Sequence, residues 1–384
     1  MTRPLNPAFT SLETYAFVRL DQSKAAAGAR GLRLFDFSIG DPHEETPAFI
    51  RERLVESIPP RSSYPAAAGS SDLREAIADW VRSRFDVALD PEKHVLPANG
   101  SKEAVYLIHQ AVIDPRGDRR VVLIPDPAYP VYEIGARFAG GEPVSVPLLP
   151  ERGFLPDLRS LSKDLLARVA LLWINYPNNP TGAVASRSFF QEAADLARRH
   201  DFWLASDEAY SEIYFDAPPS SALEVGLDHV LTFQTLSKRS AMTGYRSGFM
   251  AGDPELIALL RRLRPSQGVA TPSFIQAAAT AAWRDERHVV EQRRIYREKR
   301  EALLPALQAR RLEVGGSQAT FYLWVRTPGN LGSEEFARRL LERGIVVAPG
   351  NYFGARGEGW VRFALVPTLA ECHEAAAVMS EVEW

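Results

Sequence analysis

Cysteine is nearly absent from this sequence of 384 residues, which contains only Cys372. One cysteine cannot form an internal disulfide, and this fits a protein of a reducing compartment. The first residues lack the apolar stretch of a secretory signal peptide, and no apolar run is long enough to cross the ~30 Å hydrocarbon core of a membrane as a helix. We therefore expect a cytoplasmic protein that does not bind membranes.

An excess of charge of one sign is also missing. The chain has 45 Lys and Arg residues against 48 Asp and Glu residues, a formal net charge of -3. Proteins that bind nucleic acid through its phosphates normally carry a basic excess, so this class is disfavoured. With 46% hydrophobic residues, the chain can bury a sizeable core, which excludes disorder as its main state.

Several motifs of known chemistry are absent as well. The seven histidines show no metal-ligand spacing, and no cysteine pair supports a structural zinc, so we predict no metal site. The sequence has no G-x-G-x-x-G, no Walker loop and no G-x-S-x-G elbow. Dinucleotide binding, nucleotide hydrolysis and serine-hydrolase chemistry therefore have no specific support.

Short, continuously apolar runs are present, and they alternate with helix-like segments. They lie at residues 121–124, 169–174, 202–206 and 230–235. Such runs predict strands that are buried on both faces of a parallel sheet. Residues 186–200 have helical apolar spacing after a capping serine, Ser186. This alternation predicts an α/β domain with right-handed crossovers.

The pattern changes past about residue 280. Residues 286–311 predict a long charged helix, and strand-like runs follow around a helix at 333–343. These runs lie at 319–325, 344–349 and 360–366. We therefore divide the chain into an N-terminal arm with the start of a small domain (1–45), a large domain (46–285), and a linking helix with a C-terminal small α+β domain (286–384).

Ligands of such sheets bind beyond the carboxyl ends of the strands, and chemically useful residues occur there. Asp207 and Tyr210 follow one apolar run, although Asp207 could equally cap a helix. Lys238 follows the next run in a hydroxyl-rich loop. A lysine in this position is a candidate nucleophilic amine, although a lone lysine is more commonly a surface residue.

Other loops could hold a phosphate and a planar ring. Gly100 and Ser101 begin a predicted helix, whose N-terminal N–H groups favour a phosphate, although a simple turn is commoner. Tyr129 could stack on a ring, and Asn179 in its proline-rich turn could present an amide; packing and a rigid turn are the alternatives. Hydroxyl and guanidinium donors suited to a phosphate are Thr235, Ser237 and Arg246. An amine, a carboxylate, a phosphate cradle and an aromatic platform together suit pyridoxal 5′-phosphate.

Several motifs occur in an order that resembles the fold-type I aminotransferases of class I/II over nearly the full chain. They are Y-x-x-x-x-G-x-x-x-L-R from Tyr64 to Arg74, G-S-K at 100–102, N-N-P-T-G at 178–182, D-E-x-Y at 207–210, Lys238 with Arg246, G-x-x-V-x-P-G at 344–350 and V-R-x-A at 361–364. The resemblance implies a large domain with a mostly parallel sheet between helices, and a smaller α+β domain.

The resemblance also implies roles for the cofactor-binding residues. Lys238 forms the internal aldimine and shuttles a proton, Asp207 pairs with the pyridinium nitrogen, and Tyr129 stacks on the ring. Asn179 and Tyr210 hydrogen-bond the phenolic oxygen. The phosphate is held by the loop at Gly100, by backbone N–H groups of Ser101 and Lys102, by Thr235, Ser237 and Arg246, and by Tyr64 of a neighbouring subunit.

The substrate side and the assembly are implied in the same way. Arg362 pairs with the substrate α-carboxylate, and Gly40 lets the substrate approach closely. Because the site is shared, we expect a homodimer in which an N-terminal arm, residues 1–30, crosses the partner.

The stretches 206–216, 236–253 and 281–289 are most similar to the N-succinyldiaminopimelate aminotransferases of lysine biosynthesis. This similarity implies ping-pong transfer between glutamate and N-succinyl-2-amino-6-oxopimelate. An aspartate or aromatic aminotransferase and a C–S β-lyase are the enzymatic alternatives. A transcriptional regulator of this fold is disfavoured, because too few residues precede Gly40 for a winged-helix domain.

Overall fold

The computed structural model of this chain describes residues 16–382. The helices are α1 (Ala16–Ala29), α2 (Ala48–Glu56), α3 (Ser71–Phe85), α4 (Ser101–Val112), α5 (Val131–Phe138), α6 (Lys163–Leu166), α7 (Arg187–His200), α8 (Leu236–Arg239), α9 (Pro254–Leu263), α10 (Ser273–Trp283), α11 (Arg287–Ala309), α12 (Ser333–Leu341) and α13 (Leu369–Glu381). None of these helices combines the length and the apolar composition needed to span a bilayer.

The strands alternate with these helices. They are β1 (Phe35–Asp36), β2 (Val95–Ala98), β3 (Val121–Asp126), β4 (Glu142–Pro147), β5 (Val169–Asn175), β6 (Trp203–Asp207), β7 (Val230–Thr235), β8 (Gly248–Gly252), β9 (Val314–Gly315), β10 (Tyr322–Arg326), β11 (Ile345–Val346), β12 (Ala348–Pro349) and β13 (Trp360–Ala364). Short 3-10 helices are at Pro150–Arg152, Leu158–Ser160, Ala222–Val225, Arg264–Gln267, Gly350–Phe353 and Ala355–Gly357.

A seven-stranded sheet in the order β2-β8-β7-β6-β5-β3-β4 forms the centre of the larger unit. Strands β3 to β7 pair in parallel, while β8 runs antiparallel to both of its neighbours. The four apolar runs all form parallel strands, which confirms the α/β prediction. In the register of β5 with β6, Asn175 lies beside Asp207, so both side chains are at the same edge.

Helices cover both faces of this sheet. On one face, α7 packs through its buried residues Phe190, Ala193 and Ala197. It begins where predicted, because the Ser186 side chain accepts a hydrogen bond from the N–H of Phe189 at 3.3 Å. On the other face, α4, α5 and α9 pack against the inner strands. The strands are therefore buried on both sides, as continuous apolar runs require.

The smaller unit is built on an antiparallel sheet in the order β12-β13-β10-β9, with β1 and β11 as a separate parallel pair. In this unit, helix α11 packs against helix α13. The N-terminal segment joins this unit through a buried ion pair between Lys299 and Glu44, whose carboxylate also accepts a hydrogen bond from the Tyr296 hydroxyl at 2.9 Å. The predicted elements are present here, with bounds that shift by up to a few residues.

We propose that the structure divides into the same three segments that the sequence predicts. The pairing of β1 with β11 supports the placement of residues up to about 45 with the C-terminal unit. Of the predicted N-terminal arm, residues 1–15 lie outside the described residues, and the remainder, residues 16–30, contains the whole of α1.

Candidate active site

A cavity of about 590 Å³ lies at the carboxyl ends of the parallel strands, where the two units meet. Most of the residues predicted from sequence line it. They are Gly40, Ser101, Lys102, Tyr129, Asn179, Asp207, Tyr210, Thr235, Ser237, Lys238, Arg246 and Arg362. Gly100 lies directly before the lining residue Ser101. Tyr64 does not line this cavity and is fully exposed.

Asp207, the last residue of β6, is a buried carboxylate. One of its oxygens accepts a hydrogen bond from the Tyr132 hydroxyl at 2.8 Å, and the other accepts one from the N–H of Ala209 at 3.2 Å. No cation of residues 16–382 forms a salt bridge with it. Burial raises its pKa to about 6. A buried carboxylate that lacks a cationic partner fits the protonated ring nitrogen of pyridoxal 5′-phosphate.

Lys238 lies in the short helix α8, at the end of β7, and its ammonium donates a hydrogen bond to the carbonyl oxygen of Gly40. Burial lowers the pKa of Lys238 to about 8, an effect that Asp41 opposes and that nearby cations such as Arg362 reinforce. A lysine of lowered pKa is partly neutral near physiological pH. This is the state in which its amine can attack an aldehyde.

The N-terminus of α4 and the guanidinium of Arg246 form a cradle for an anion. Gly100 has a φ of 76°, and a Cβ built on it would lie 2.5 Å from a guanidinium nitrogen of Arg246. The close approach places that guanidinium beside the free N–H groups at the start of α4. Burial, with a contribution from Arg246, lowers the pKa of Lys102. A concentration of positive charge of this kind fits a phosphate group.

Arg362 on β13 is buried, with 4% of its surface exposed. Its guanidinium donates to the side-chain oxygen of Asn179 and to the carbonyl oxygen of Ser38, both at 2.8 Å. The guanidinium carbon lies 4.2 Å and 4.5 Å from the ring centroids of Tyr322 and Phe353. No carboxylate in the described part of the chain pairs with it. A guanidinium that is held in this way and lacks a carboxylate partner fits a carboxylate ligand.

Asn179 is oriented by a chain of hydrogen bonds that leads back to Asp207. Its N–H donates to the side-chain oxygen of Asn175 at 2.8 Å. The amide nitrogen of Asn175 in turn donates to the carbonyl oxygen of Asp207, also at 2.8 Å. The turn after β5 is thus tied to the end of β6, and the predicted amide faces the cavity.

Sequence reasoning missed several lining residues that have no motif of their own. They are Phe17, Val18, Asp21, Ile39, Asp41, Pro130, Tyr132, Asn175, Ala209, Thr243, Tyr322 and Phe353. The sequence did contain a signal for Tyr132. It follows Tyr129 closely and lies in the first turn of α5. Tyr322 enters the cavity only through the pairing of β10 with β13, which no local pattern reports.

The fold and this donor set define a pyridoxal-phosphate-dependent aminotransferase. Residues 33–379 match the family model of aminotransferase class I and II, and the chain belongs to this family, which uses pyridoxal 5′-phosphate. When bound, that cofactor supplies an electron-withdrawing ring that stabilises negative charge at the substrate α-carbon. The class and the cofactor predicted from sequence are confirmed.

Individual relatives give a more detailed comparison than the family model. The chain is 42% identical to an LL-diaminopimelate aminotransferase of Aquifex aeolicus, over 93% of this chain and 94% of that protein. An aminotransferase structure from Neisseria meningitidis is 36% identical with a TM-score of 0.92, covering 99% of this chain and 100% of that one. A probable N-succinyldiaminopimelate aminotransferase of Thermus thermophilus is 33% identical with a TM-score of 0.89, covering 96% and 100%.

Proposed function

We propose that this aminotransferase moves an amino group between LL-diaminopimelate and a 2-oxo acid such as 2-oxoglutarate, in the cytoplasm. Its support is the similarity to relatives named LL-diaminopimelate aminotransferase, which reaches 42% identity. The resemblance seen in the sequence implied the N-succinylated form of the same skeleton. Both substrates share the α-amino acid end that the site receives, so they differ only in what the outer part of the cavity must hold.

Charge within the cavity supports the unacylated substrate. The side chains of Asp21 and Asp41 line it, in addition to the four cations Lys102, Lys238, Arg246 and Arg362. Those cations suit a phosphate and a carboxylate. Free diaminopimelate carries an ammonium group at its distal end, which a carboxylate attracts. Succinylation replaces that ammonium with a neutral amide and adds a further carboxylate, which Asp21 and Asp41 would repel. This distribution of charge is the observation that carries the proposal.

The roles proposed for the cofactor-binding residues are those that the family resemblance implies, and their support is that these residues line or adjoin one cavity. Lys238 binds the cofactor aldehyde and afterwards moves a proton from the substrate α-carbon. Asp207 keeps the ring nitrogen protonated, while Tyr210 and Asn179 act at the phenolic oxygen and Tyr129 covers the ring. The phosphate is held at Gly100, Ser101, Lys102, Thr235, Ser237 and Arg246.

Arg362 binds the substrate carboxylate in the proposed reaction, and Gly40 forms the wall beside it. We further propose that the active enzyme is a homodimer in which Tyr64 reaches the phosphate of the neighbouring subunit. Tyr64 is fully exposed in the single chain, so its side chain is accessible to a second subunit.

A second candidate is the N-succinyldiaminopimelate aminotransferase activity. One observation favours it, namely the 33% identity and 0.89 TM-score with the Thermus thermophilus structure described by that activity. The aspartate alternative has a similar observation, a Thermus thermophilus aspartate aminotransferase structure that is 30% identical with a TM-score of 0.90. The substrate panel below tests it together with the aromatic and C–S β-lyase alternatives.

A panel of amino donors tests the proposal. Purified enzyme with 2-oxoglutarate is given LL-diaminopimelate, N-succinyl-LL-diaminopimelate, aspartate, phenylalanine and, with pyruvate release as the readout, cystathionine. We expect kcat/KM for LL-diaminopimelate to exceed that for the succinylated compound by about tenfold or more, the value of roughly one charged contact. The reverse order supports the second candidate. Rapid turnover of aspartate or phenylalanine, with both diaminopimelates inert, would overturn the substrate proposal and leave the family intact.

A further inference from the structure

Tyr322 is the first residue of strand β10 and lines the cavity. Its side chain is buried, and its hydroxyl oxygen lies 2.7 Å from that of Tyr210. Its ring also covers the guanidinium of Arg362, with the guanidinium carbon 4.2 Å from the ring centroid. One side chain thus contacts both the proposed donor to the cofactor and the proposed receptor of the substrate carboxylate.

Strand pairing holds this ring in place. In the register of β10 with β13, Tyr322 lies opposite Ala364 and Trp324 lies opposite Arg362. Tyr322 is therefore a diagonal neighbour of Arg362 on one face of the sheet, a spacing within reach of long and aromatic side chains. The guanidinium carbon also lies 4.5 Å from the ring centroid of Phe353, so the cation contacts two aromatic rings.

The contact between the hydroxyls of Tyr322 and Tyr210 links the directions in which the two groups can donate. A tyrosine hydroxyl has a single hydrogen to donate and can also accept. Burial raises the pKa of Tyr210 well above its ordinary value, so this hydroxyl keeps its proton and remains a donor. If Tyr210 donates into the cavity, its contact with Tyr322 is satisfied only when Tyr322 is the donor. Donation from Tyr322 then strengthens donation from Tyr210, since linked hydrogen bonds polarise one another.

Gly40 makes room for this arrangement. A Cβ built on Gly40 would lie 2.1 Å from the Tyr322 hydroxyl oxygen and 3.0 Å from its ring carbon. The glycine predicted to let the substrate approach is thus also required by the hydroxyl of Tyr322. Any larger residue at position 40 would move that hydroxyl away from Tyr210.

We propose that Tyr322 is a positioning residue for both ends of the reaction: its hydroxyl directs the Tyr210 proton towards the cofactor, and its ring orients Arg362 for the substrate carboxylate. The inference rests on the proposed roles of Tyr210 and Arg362. It does not depend on which amino acid is the substrate.

Two readouts without turnover separate the two parts of this proposal. The first is the pH midpoint of the visible absorbance of bound cofactor, which reports hydrogen bonding to the phenolic oxygen. The second is the Kd of a non-reacting dicarboxylate, maleate, which reports the carboxylate site. Tyr322→Phe removes the hydroxyl and keeps the ring, whereas Tyr322→Leu removes both. Tyr296→Phe is the matched control, since it removes a buried hydroxyl outside the cavity lining.

In Tyr322→Phe we expect the absorbance midpoint to rise by about 0.5 pH unit, the effect of one weakened hydrogen bond, with maleate Kd unchanged. In Tyr322→Leu we expect the same rise and a maleate Kd weakened about fivefold by loss of the cation–π contact. Adding Tyr322→Phe to Tyr210→Phe should produce no further rise, because Tyr322 acts through Tyr210. Tyr296→Phe should match the wild type in both readouts.

Wild-type absorbance behaviour in Tyr322→Phe, or additive shifts in the double variant, would overturn the role of the hydroxyl. Wild-type maleate affinity in Tyr322→Leu would overturn the role of the ring. Wild-type protein that binds no cofactor at all would instead contradict the proposed roles of Lys238 and Asp207, so the two kinds of failure are distinguishable.

Discussion

The hydroxyl of Tyr132 lies 2.8 Å from a carboxylate oxygen of Asp207, and contacts of the Tyr132 ring with its neighbours fix its position. The Tyr132 ring stacks on Trp173 at a centroid distance of 4.5 Å, and the Trp173 indole N–H donates to His109 at 3.0 Å. All of these side chains are buried. The hydrogen bond from Tyr132 lowers the pKa of Asp207 against the larger opposing effect of burial.

Tyr132→Phe should therefore raise the pKa of Asp207 and weaken its hold on the protonated ring nitrogen. We expect kcat to fall about tenfold, the effect of one charge-assisted hydrogen bond, together with weaker cofactor binding. Steady-state kinetics and cofactor titration measure both. Tyr176→Phe is the matched control, because its buried hydroxyl donates to a backbone carbonyl, that of Phe154, at 2.6 Å. If the two variants behave alike, Tyr132 has no special role at Asp207.

The anion cradle can be tested at two glycines that differ in their surroundings. Both glycines have a positive φ, 76° at Gly100 and 61° at Gly153, but ψ is 161° at Gly100 and 28° at Gly153. Alanine therefore costs about 1 kcal/mol in the left-handed conformation of Gly153 and more in the conformation of Gly100, which only glycine adopts readily. Only at Gly100 would the added Cβ displace Arg246, while nothing lies within 4 Å of it at Gly153.

We expect Gly100→Ala to weaken affinity for pyridoxal 5′-phosphate about tenfold and Gly153→Ala to leave it unchanged, since one phosphate contact is worth roughly this factor. Thermal unfolding should show the larger loss of stability in Gly100→Ala, so cofactor affinity is compared at a temperature at which both variants are folded. Equal cofactor affinity in the two variants would mean that Arg246 does not hold the phosphate.

Asp21 tests the recognition of the distal ammonium. Its carboxylate forms a salt bridge of 2.6 Å with Lys24, but that ammonium is shared with Asp36 at 3.0 Å, so the group of three keeps a net negative charge. Asp21→Asn should raise KM for LL-diaminopimelate about fivefold, the effect of one exposed charge, and leave KM for the succinylated compound unchanged.

Asp36→Asn is the control for that charge, because Asp36 shares Lys24 and is not among the cavity-lining residues. It should leave both KM values near those of the wild type. Equal effects of the two substitutions on LL-diaminopimelate would show that overall charge, and not contact by Asp21, determines affinity.

The lowered pKa of His109 predicts that the folded protein loses stability in acid. Burial lowers its pKa to about 4, from the ordinary value of 6.5. Between these values the unfolded chain binds a proton that the folded chain does not, so the contribution of His109 is full above pH 6.5 and is lost as pH falls towards 4. Denaturant unfolding of wild type and His109→Gln should show their stability difference shrinking over this window. A difference independent of pH would contradict a neutral His109.

The sequence predicted the inner strands and missed others for a physical reason. Strands β5 and β7 are buried on both faces, so they form apolar runs that stand out locally. Strands β2 and β4 contain proline and form the two edges of the sheet, where a missing N–H is tolerated. Strand β8 is rich in glycine, because a Cβ at Gly252 would meet the backbone of Val230 at 2.0 Å.

The residues of the site also divide into those that the sequence predicted and those that it missed. Lys238, Asp207 and Asn179 follow strands directly, and a strand end is visible in sequence. Tyr322 reaches the cavity through pairing between strands, so only the assembled structure brings it there. The position of Tyr132 beside Tyr129 is visible in sequence, but its contact with the distant Asp207 is not. The expected reason for Gly40 was incomplete in the same way, since its closest constraint comes from Tyr322.

The covalent attachment of the cofactor tests the central claim most directly. Purified enzyme is incubated with pyridoxal 5′-phosphate, reduced with borohydride, digested and analysed by mass spectrometry. The structure predicts a phosphopyridoxyl group on Lys238 and a protein that loses its yellow colour on reduction; Lys238→Ala should carry no such group. An unlabelled Lys238 in reduced wild-type enzyme, or a label on another lysine alone, would contradict the account.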